Sequence, residues 1–151
     1  MEKKYNEYLE SLFSEAAFFR AKKKPDLVIM NKMLDALNRP DKTPKFRTIV
    51  TGTAGKGTTC RAIEQYAISN NLSVITLVSP HIQTPLERIR INGKIISEKD
   101  FENQINKLKL ISEKTNIKPT YFEAIVLAGI LFAHEKKIDI LRYSEWNKIV
   151  H

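Results

Sequence analysis

One cysteine, Cys60, stands in the 151 residues, so no internal disulfide is available and the usage fits a reducing compartment. No apolar run approaches the ~20 residues needed to cross a bilayer; the longest covers 124–133. The opening MEKKYNEYLE lacks the apolar stretch of a secretory signal. No internal repeat or low-complexity tract is present, which removes solenoid and disordered readings. There is also no Cys/His zinc spacing and no G-x-S-x-G elbow. The expectation is a soluble cytoplasmic protein with no membrane partner. Acidic residues are the minority, 17 against 25 Lys plus Arg, and the net +8 attracts anions. Nucleic acid, a nucleotide or an acidic small molecule would each satisfy that charge. The lysines are spread along the chain, however, and no basic helix with interleaved aromatics appears, which argues against nucleic acid.

What is present has the length of about one domain, with 42% apolar and 28% charged residues, an ordinary globular balance. Tyr5, Tyr8, Leu9, Leu12 and Phe13 recur at helical spacing, and Pro25 marks a break. A second helix is predicted over 26–37, then a loop carrying Pro40 and Pro44. Residues 46–51 form a β-rich run, 51–58 a glycine-rich turn, 61–70 a helix and 73–78 a buried strand. That order is a βαβ unit. Asn92-Gly93 between apolar flanks predicts a hairpin over 89–96. Ser97 caps a helix reaching about Lys114, and Thr120 opens an unusually apolar helix reaching about Lys136. Residues 138–143 form a third parallel strand. The fold class is α/β: a mostly parallel sheet flanked by helices and incomplete at its C-terminal end. An open strand edge is expected near Ile140, inviting self-association.

Only five glycines are present, and Gly52, Gly55 and Gly57 crowd into one turn between a strand and a helix. Glycines let successive N–H groups converge on an anion, and the helix N-terminus adds partial positive charge. Lys56 can reach β- and γ-phosphates, and Thr58 or Thr59 can offer a hydroxyl to Mg²⁺. The spelling departs from G-x-x-x-x-G-K-[ST], with Val50 at the first glycine and the hydroxyl one place late. A bland glycine turn with a solvated lysine is the competing reading, and the strand–loop–helix context favours a nucleotide.

The stretch TGTAGKGTTC resembles the phosphate loop of the Mur ligase superfamily, particularly folylpolyglutamate synthase and dihydrofolate synthase. Ser79-Pro80-His81 with Glu87-Arg88-Ile89, Asn92-Gly93-Lys94 through Ser97 to Asp100-Phe101, and Thr120-Tyr121-Phe122-Glu123 agree in order and approximate spacing. The resemblance implies ATP held by Gly52, Thr53, Ala54, Gly55, Lys56, Gly57, Thr58 and Thr59. It also implies Mg²⁺ at Thr58, Ser79 and Glu123, a substrate side at His81 and Arg88, and Lys56 and Glu123 as catalytic residues. Ala54 replaces the family's usual asparagine. After residue 141 the chain leaves the family's pattern and reads RYSEWN, so the resemblance implies only an N-terminal portion: helices in 1–45, a truncated ATP-binding domain in 46–151, and no C-terminal ligase domain.

The implied function is ATP-dependent addition of L-glutamate to a folate or dihydropteroate carboxylate through an acyl phosphate. The alternative is a stand-alone nucleotide-binding module without catalysis. Several residues keep two readings. Thr120-x-x-Glu123 is by its residues a capping box, whereas the resemblance makes Glu123 a metal ligand. Ser79 is by its residues either a turn or a ligand at a strand's carboxyl end. Arg88 and Arg90 would otherwise be a solvated strand face, Cys60 a small packed residue, and His134 exposed.

Overall fold

A computed structural model of the chain describes Glu7, Ser11 and residues 27–52, 54–78 and 83–144. Tyr5, Tyr8, Leu9, Leu12 and Phe13, which carry the first expected helix, lie outside the described residues, as do residues 145–151.

Five strands share one sheet: β1 (Phe46–Val50), β2 (Val74–Leu77), β3 (Ile89–Ile91), β4 (Lys94–Ile95) and β5 (Ile140–Ser144). Their spatial order is β1-β5-β2-β3-β4. β5 runs parallel to both β1 and β2, while β3 and β4 are antiparallel, so the sheet is mixed. Asn92 and Gly93 join β3 to β4 at φ 46° and 82°, the left-handed pair that a tight hairpin turn requires. The sequence places the open edge at Ile140, and the structure corrects it. β5 lies between β1 and β2, and among the described residues β1 is the open parallel edge, with Phe46 55% and Ile49 42% exposed.

Four helices are described: α1 (Leu27–Ala36), α2 (Lys56–Ser69), α3 (Glu98–Thr115) and α4 (Tyr121–Glu135). Ser97 caps α3 by accepting from the Asp100 N–H, and Asn116 ends it in the left-handed region at φ 54°. None of these helices is long and apolar enough to cross a membrane.

Strand alternation divides the core. Ile75 and Leu77 of β2 and Leu141 and Tyr143 of β5 join α1, α3 and α4 in one large cluster. α4 is buried continuously from Ala124 to Ala133, as expected of a helix apolar all round. Val74 and Ile140 face the other way, where, among the described residues, Ala67 of α2 and the neighbouring Leu72 complete a small cluster. Asp139 pins the start of β5, accepting from Lys45 Nζ at 2.8 Å and from the Ser73 N–H and hydroxyl. These bonds, Lys45 foremost, hold its carboxyl well below the usual carboxylate range.

Gly129 sits where α4 crosses β2, and a Cβ there would overlap the Leu77 Cδ2 methyl. Leu77 is 2% exposed and packed in the large cluster, so its shift disturbs close-packed neighbours. Gly129→Ala is therefore expected to lower stability by about 1–3 kcal/mol despite its better helix propensity. Urea unfolding followed by circular dichroism checks it; an unchanged midpoint would contradict this packing.

Candidate functional site

β1 ends at Val50, and the chain turns through residues 51–55 into α2. Gly52 (φ 142°) and Gly55 (φ 76°) both occupy the left-handed half of backbone space, and Gly55 is the residue from which α2 starts. α2 begins five residues earlier than the periodicity from Arg61 suggests, so Lys56, Gly57, Thr58 and Thr59 form its first turn rather than loop. Thr59 N–H donates to Gly55 O at 2.9 Å, closing that turn. Lys56 Nζ reaches back to Gly52 O at 2.5 Å, which holds the ammonium over the loop. A Cβ on Gly55 or Gly57 would meet nothing within 4 Å. Packing therefore does not demand glycine at 57, and its bareness leaves room for a group approaching the helix end. Thr58, Thr59 and Ala54 are exposed around that space, whereas Thr53 lies outside the described residues.

Connectivity brings a second helix start to the same end of the sheet. Near the end of α4, His134 Nδ1 lies 2.6 Å from the Thr43 hydroxyl, just before β1. At its start, the Phe122 ring lies 5.1 Å from the Arg88 guanidinium, and Arg88 O accepts from Val78 N–H just past β2. α4 thus runs from the carboxyl toward the amino ends of the parallel strands. Its first residues share the carboxyl end with the glycine loop, on the opposite face. Ligands of open α/β sheets bind at that end.

Glu123 is in a complete capping box: its Oε2 accepts from Thr120 N–H at 2.7 Å, and its own N–H donates to Thr120 Oγ1 at 3.2 Å. Both readings of the motif need a carboxylate at this point, and the cap is the one the geometry displays. Arg88 belongs to a short 3-10 turn, Pro85–Arg88, rather than to the strand with Arg90. It is half-buried, and desolvation pulls its pKa below the ordinary arginine value. Glu87 closes a capping box on Thr84 in that turn. Ser79 and His81 lie outside the described residues. Among the described residues no group of three or more His, Cys, Asp or Glu side chains is arranged to hold a metal ion. Thr58 and Glu123 offer the hard oxygen donors that Mg²⁺ or Mn²⁺ takes.

A feature absent from the sequence reading lies beneath α2. Register sets Arg142 of β5 beside Thr76 of β2, and Thr76 beside Arg90 of β3, all on the α2 face. Arg142 Nη2 donates to Thr76 Oγ1 at 2.5 Å, and Glu64 Oε1 lies 3.4 Å from the same hydroxyl. Arg90 Nη2 donates to Gly93 O at 2.7 Å and lies 3.5 Å from Glu64 Oε2. Arg142 is 1% exposed and Glu64 2%. Burial pulls the Arg142 pKa down, with Cys60 and then Glu64 opposing it. A cleft of about 680 Å³ opens over this row, walled by the first turns of α2 and by residues 83–87.

No family model matches the chain. A dihydrofolate synthase/folylpolyglutamate synthase of Buchnera aphidicola subsp. Schizaphis graminum is 35% identical over 116 residues, 77% of this chain and 26% of the relative. The chain thus spans about a quarter of that relative's length. A crystal structure of the bifunctional folylpolyglutamate synthase/dihydrofolate synthase from Yersinia pestis, complexed with AMPPNP and a Mn ion, superposes with TM-score 0.76 at 28% identity. The match covers 91% of this chain and 31% of that one. A structure of such an enzyme with Mn, AMPPNP and L-glutamate bound gives TM-score 0.75 at 28% identity over the same shares. In sequence and in fold, the chain is similar to part of the dihydrofolate synthase/folylpolyglutamate synthases, whose structures are Mur-ligase-like.

Proposed function

We propose that the chain supplies the nucleotide-binding part of an ATP-dependent ligase that adds L-glutamate to a folate or dihydropteroate carboxylate. One observation carries this reading. Left-handed Gly55, the Lys56 ammonium and the unfilled space above Gly57 meet at the N-terminus of α2. Backbone N–H groups and the helix dipole there favour a polyanion. The reaction implied by the relatives moves the γ-phosphoryl group to the substrate carboxylate, and the glutamate amine then displaces phosphate from the acyl phosphate. Lys56 offsets charge on the transferring group while the loop holds it in line. Gly52, Thr53, Ala54, Gly55, Gly57, Thr58 and Thr59 surround the phosphates. Thr58, Ser79 and Glu123 are the proposed holders of Mg²⁺, which neutralises phosphate charge when bound. His81 and Arg88 are proposed to border the folate side, with Arg88 oriented by Phe122. The proposed setting is the cytoplasm, with neither membrane nor nucleic acid as partner, and the proposed self-association runs through the β1 edge. The proposed division is helices in 1–45 and ATP-binding domain in 46–151.

A second reading is a nucleotide-binding module without catalysis. Ligation needs carboxylate, γ-phosphate and amine held together, and the 151 residues by themselves match about a quarter of the relative's length. The 151-residue chain is therefore expected to bind Mg-ATP yet form no glutamylated product from ATP, glutamate and pteroate. Calorimetric titration and chromatography of the products test both parts. Absence of ATP binding would overturn the nucleotide site, and a product lost in Lys56→Ala would show the chain to be a complete catalyst.

A further inference from the structure

We infer that the cleft beneath the first turns of α2, which shares Lys56 and Gly57 with the glycine loop, holds a second anion site that takes a phosphate-type oxyanion on Arg142 and Arg90. Arg142 forms part of the cleft wall, is 1% exposed, and carries two N–H donors, Nε and Nη1, that have no hydrogen-bond partner. Leaving charged donors unpaired in an interior is costly, and each such group calls for an explanation such as a bound ion. Thr48, beside Arg142 on β1, likewise has a buried hydroxyl without a partner.

The sheet register makes this a built arrangement. Thr48, Arg142, Thr76 and Arg90 stand in one transverse row across four strands, all on the face that α2 overlies. The cleft is lined by Lys56, Arg61, Arg90 and Arg142 against the carboxylates Glu64 and Glu87. Glu64 accounts for part of that charge through Arg90 and Thr76, and Glu87 is engaged with the N–H groups of Gln83 and Thr84. Cation therefore exceeds anion at the floor. A guanidinium fork presents paired donors to an oxyanion, which a lysine cannot do, so phosphate is favoured over a monovalent halide. The phosphate can be free or part of a larger molecule.

The test measures thermal melts of the full chain against inorganic phosphate at constant ionic strength, with chloride as reference. Phosphate is expected to raise the melting temperature, and chloride to leave it unmoved. Arg142→Met keeps the bulk and removes the donors; it is expected to weaken the apparent phosphate affinity about tenfold or more, the loss of one charge-assisted contact. Arg90→Gln is expected to weaken it in the same direction, and it carries the comparison should Arg142→Met not melt cooperatively. Gly55→Ala strains the left-handed residue of the glycine loop and replaces no residue that lines the cleft, and is expected to keep the phosphate effect. Repeating the series with ATP separates the sources, because ATP binding through the loop falls in Gly55→Ala and persists in Arg142→Met. No stabilisation by phosphate, an effect retained in both arginine variants, or an effect lost in Gly55→Ala would each overturn the site. The last two outcomes leave the nucleotide reading standing, so the two proposals fail separately.

Discussion

Lys56→Ala is expected to weaken Mg-ATP binding about tenfold to a hundredfold, the range for losing one charge-assisted hydrogen bond to a phosphate. The fold should be nearly untouched. Lys56 is half-exposed, and its ammonium donates to the backbone at Gly52 O. Alanine is also the better helix former at the first turn. A lysine at this place can exchange its bond to Gly52 O for phosphate oxygens with little rearrangement, because both lie over the same loop. Calorimetric titration with Mg-ATP reads the affinity and a thermal melt reads the fold. Equal affinities in the two proteins would remove the phosphate-loop assignment, whereas a large fall in melting temperature would show that Lys56 is structural.

Glu123 is the second position where a large effect is expected, and the choice of substitution decides what is learned. Glu123→Gln keeps an oxygen that can accept from Thr120 N–H, so the capping box and the melt should persist. A neutral amide is a poorer ligand than a carboxylate for a hard cation. Removing outer-shell partners of a metal costs about 10–100-fold in affinity, and losing a ligand is expected to cost at least as much. Glu123→Ala removes both functions, and the box alone is worth about 0.3–1.5 kcal/mol. The measurement is a Mg²⁺ titration of ATP binding for all three proteins. If Glu123→Gln matches the parent and only Glu123→Ala differs, the carboxylate is a cap and nothing more.

Local chemistry was legible in the sequence, and long-range placement was not. Asn92-Gly93 announces its turn because few other residues tolerate positive φ at both positions, and Ser97 and Thr120 announce helix starts through their hydroxyls. The glycine loop is readable for the same reason. Where β5 inserts is not a local property. No spacing within residues 138–143 tells that the strand lies between β1 and β2, so the open edge was expected on the wrong strand. The row of Arg142, Thr76 and Arg90 was missed on the same account, since it exists only through register between strands far apart in sequence. A faint signal was present: Lys56, Cys60 and Glu64 recur every four residues and mark one polar-lined face of α2. The start of α2 was placed late because Gly57, Thr58 and Thr59 are weak helix formers whose turn is secured by the loop behind them.

The unequal packing of the two sheet faces has a kinetic consequence. α4 is sealed on its face by the large cluster, so its amides can exchange with solvent only when the whole domain comes apart. α2 rests through Ala67 on Val74, Ile140 and Leu72 at one end and on the polar row at the other. With so little apolar contact holding it, α2 is the segment positioned to lift from the sheet in sub-global openings. An anion seated at its first turn or beneath it would then act as a clasp, slowing exchange along this helix while leaving α4 unchanged.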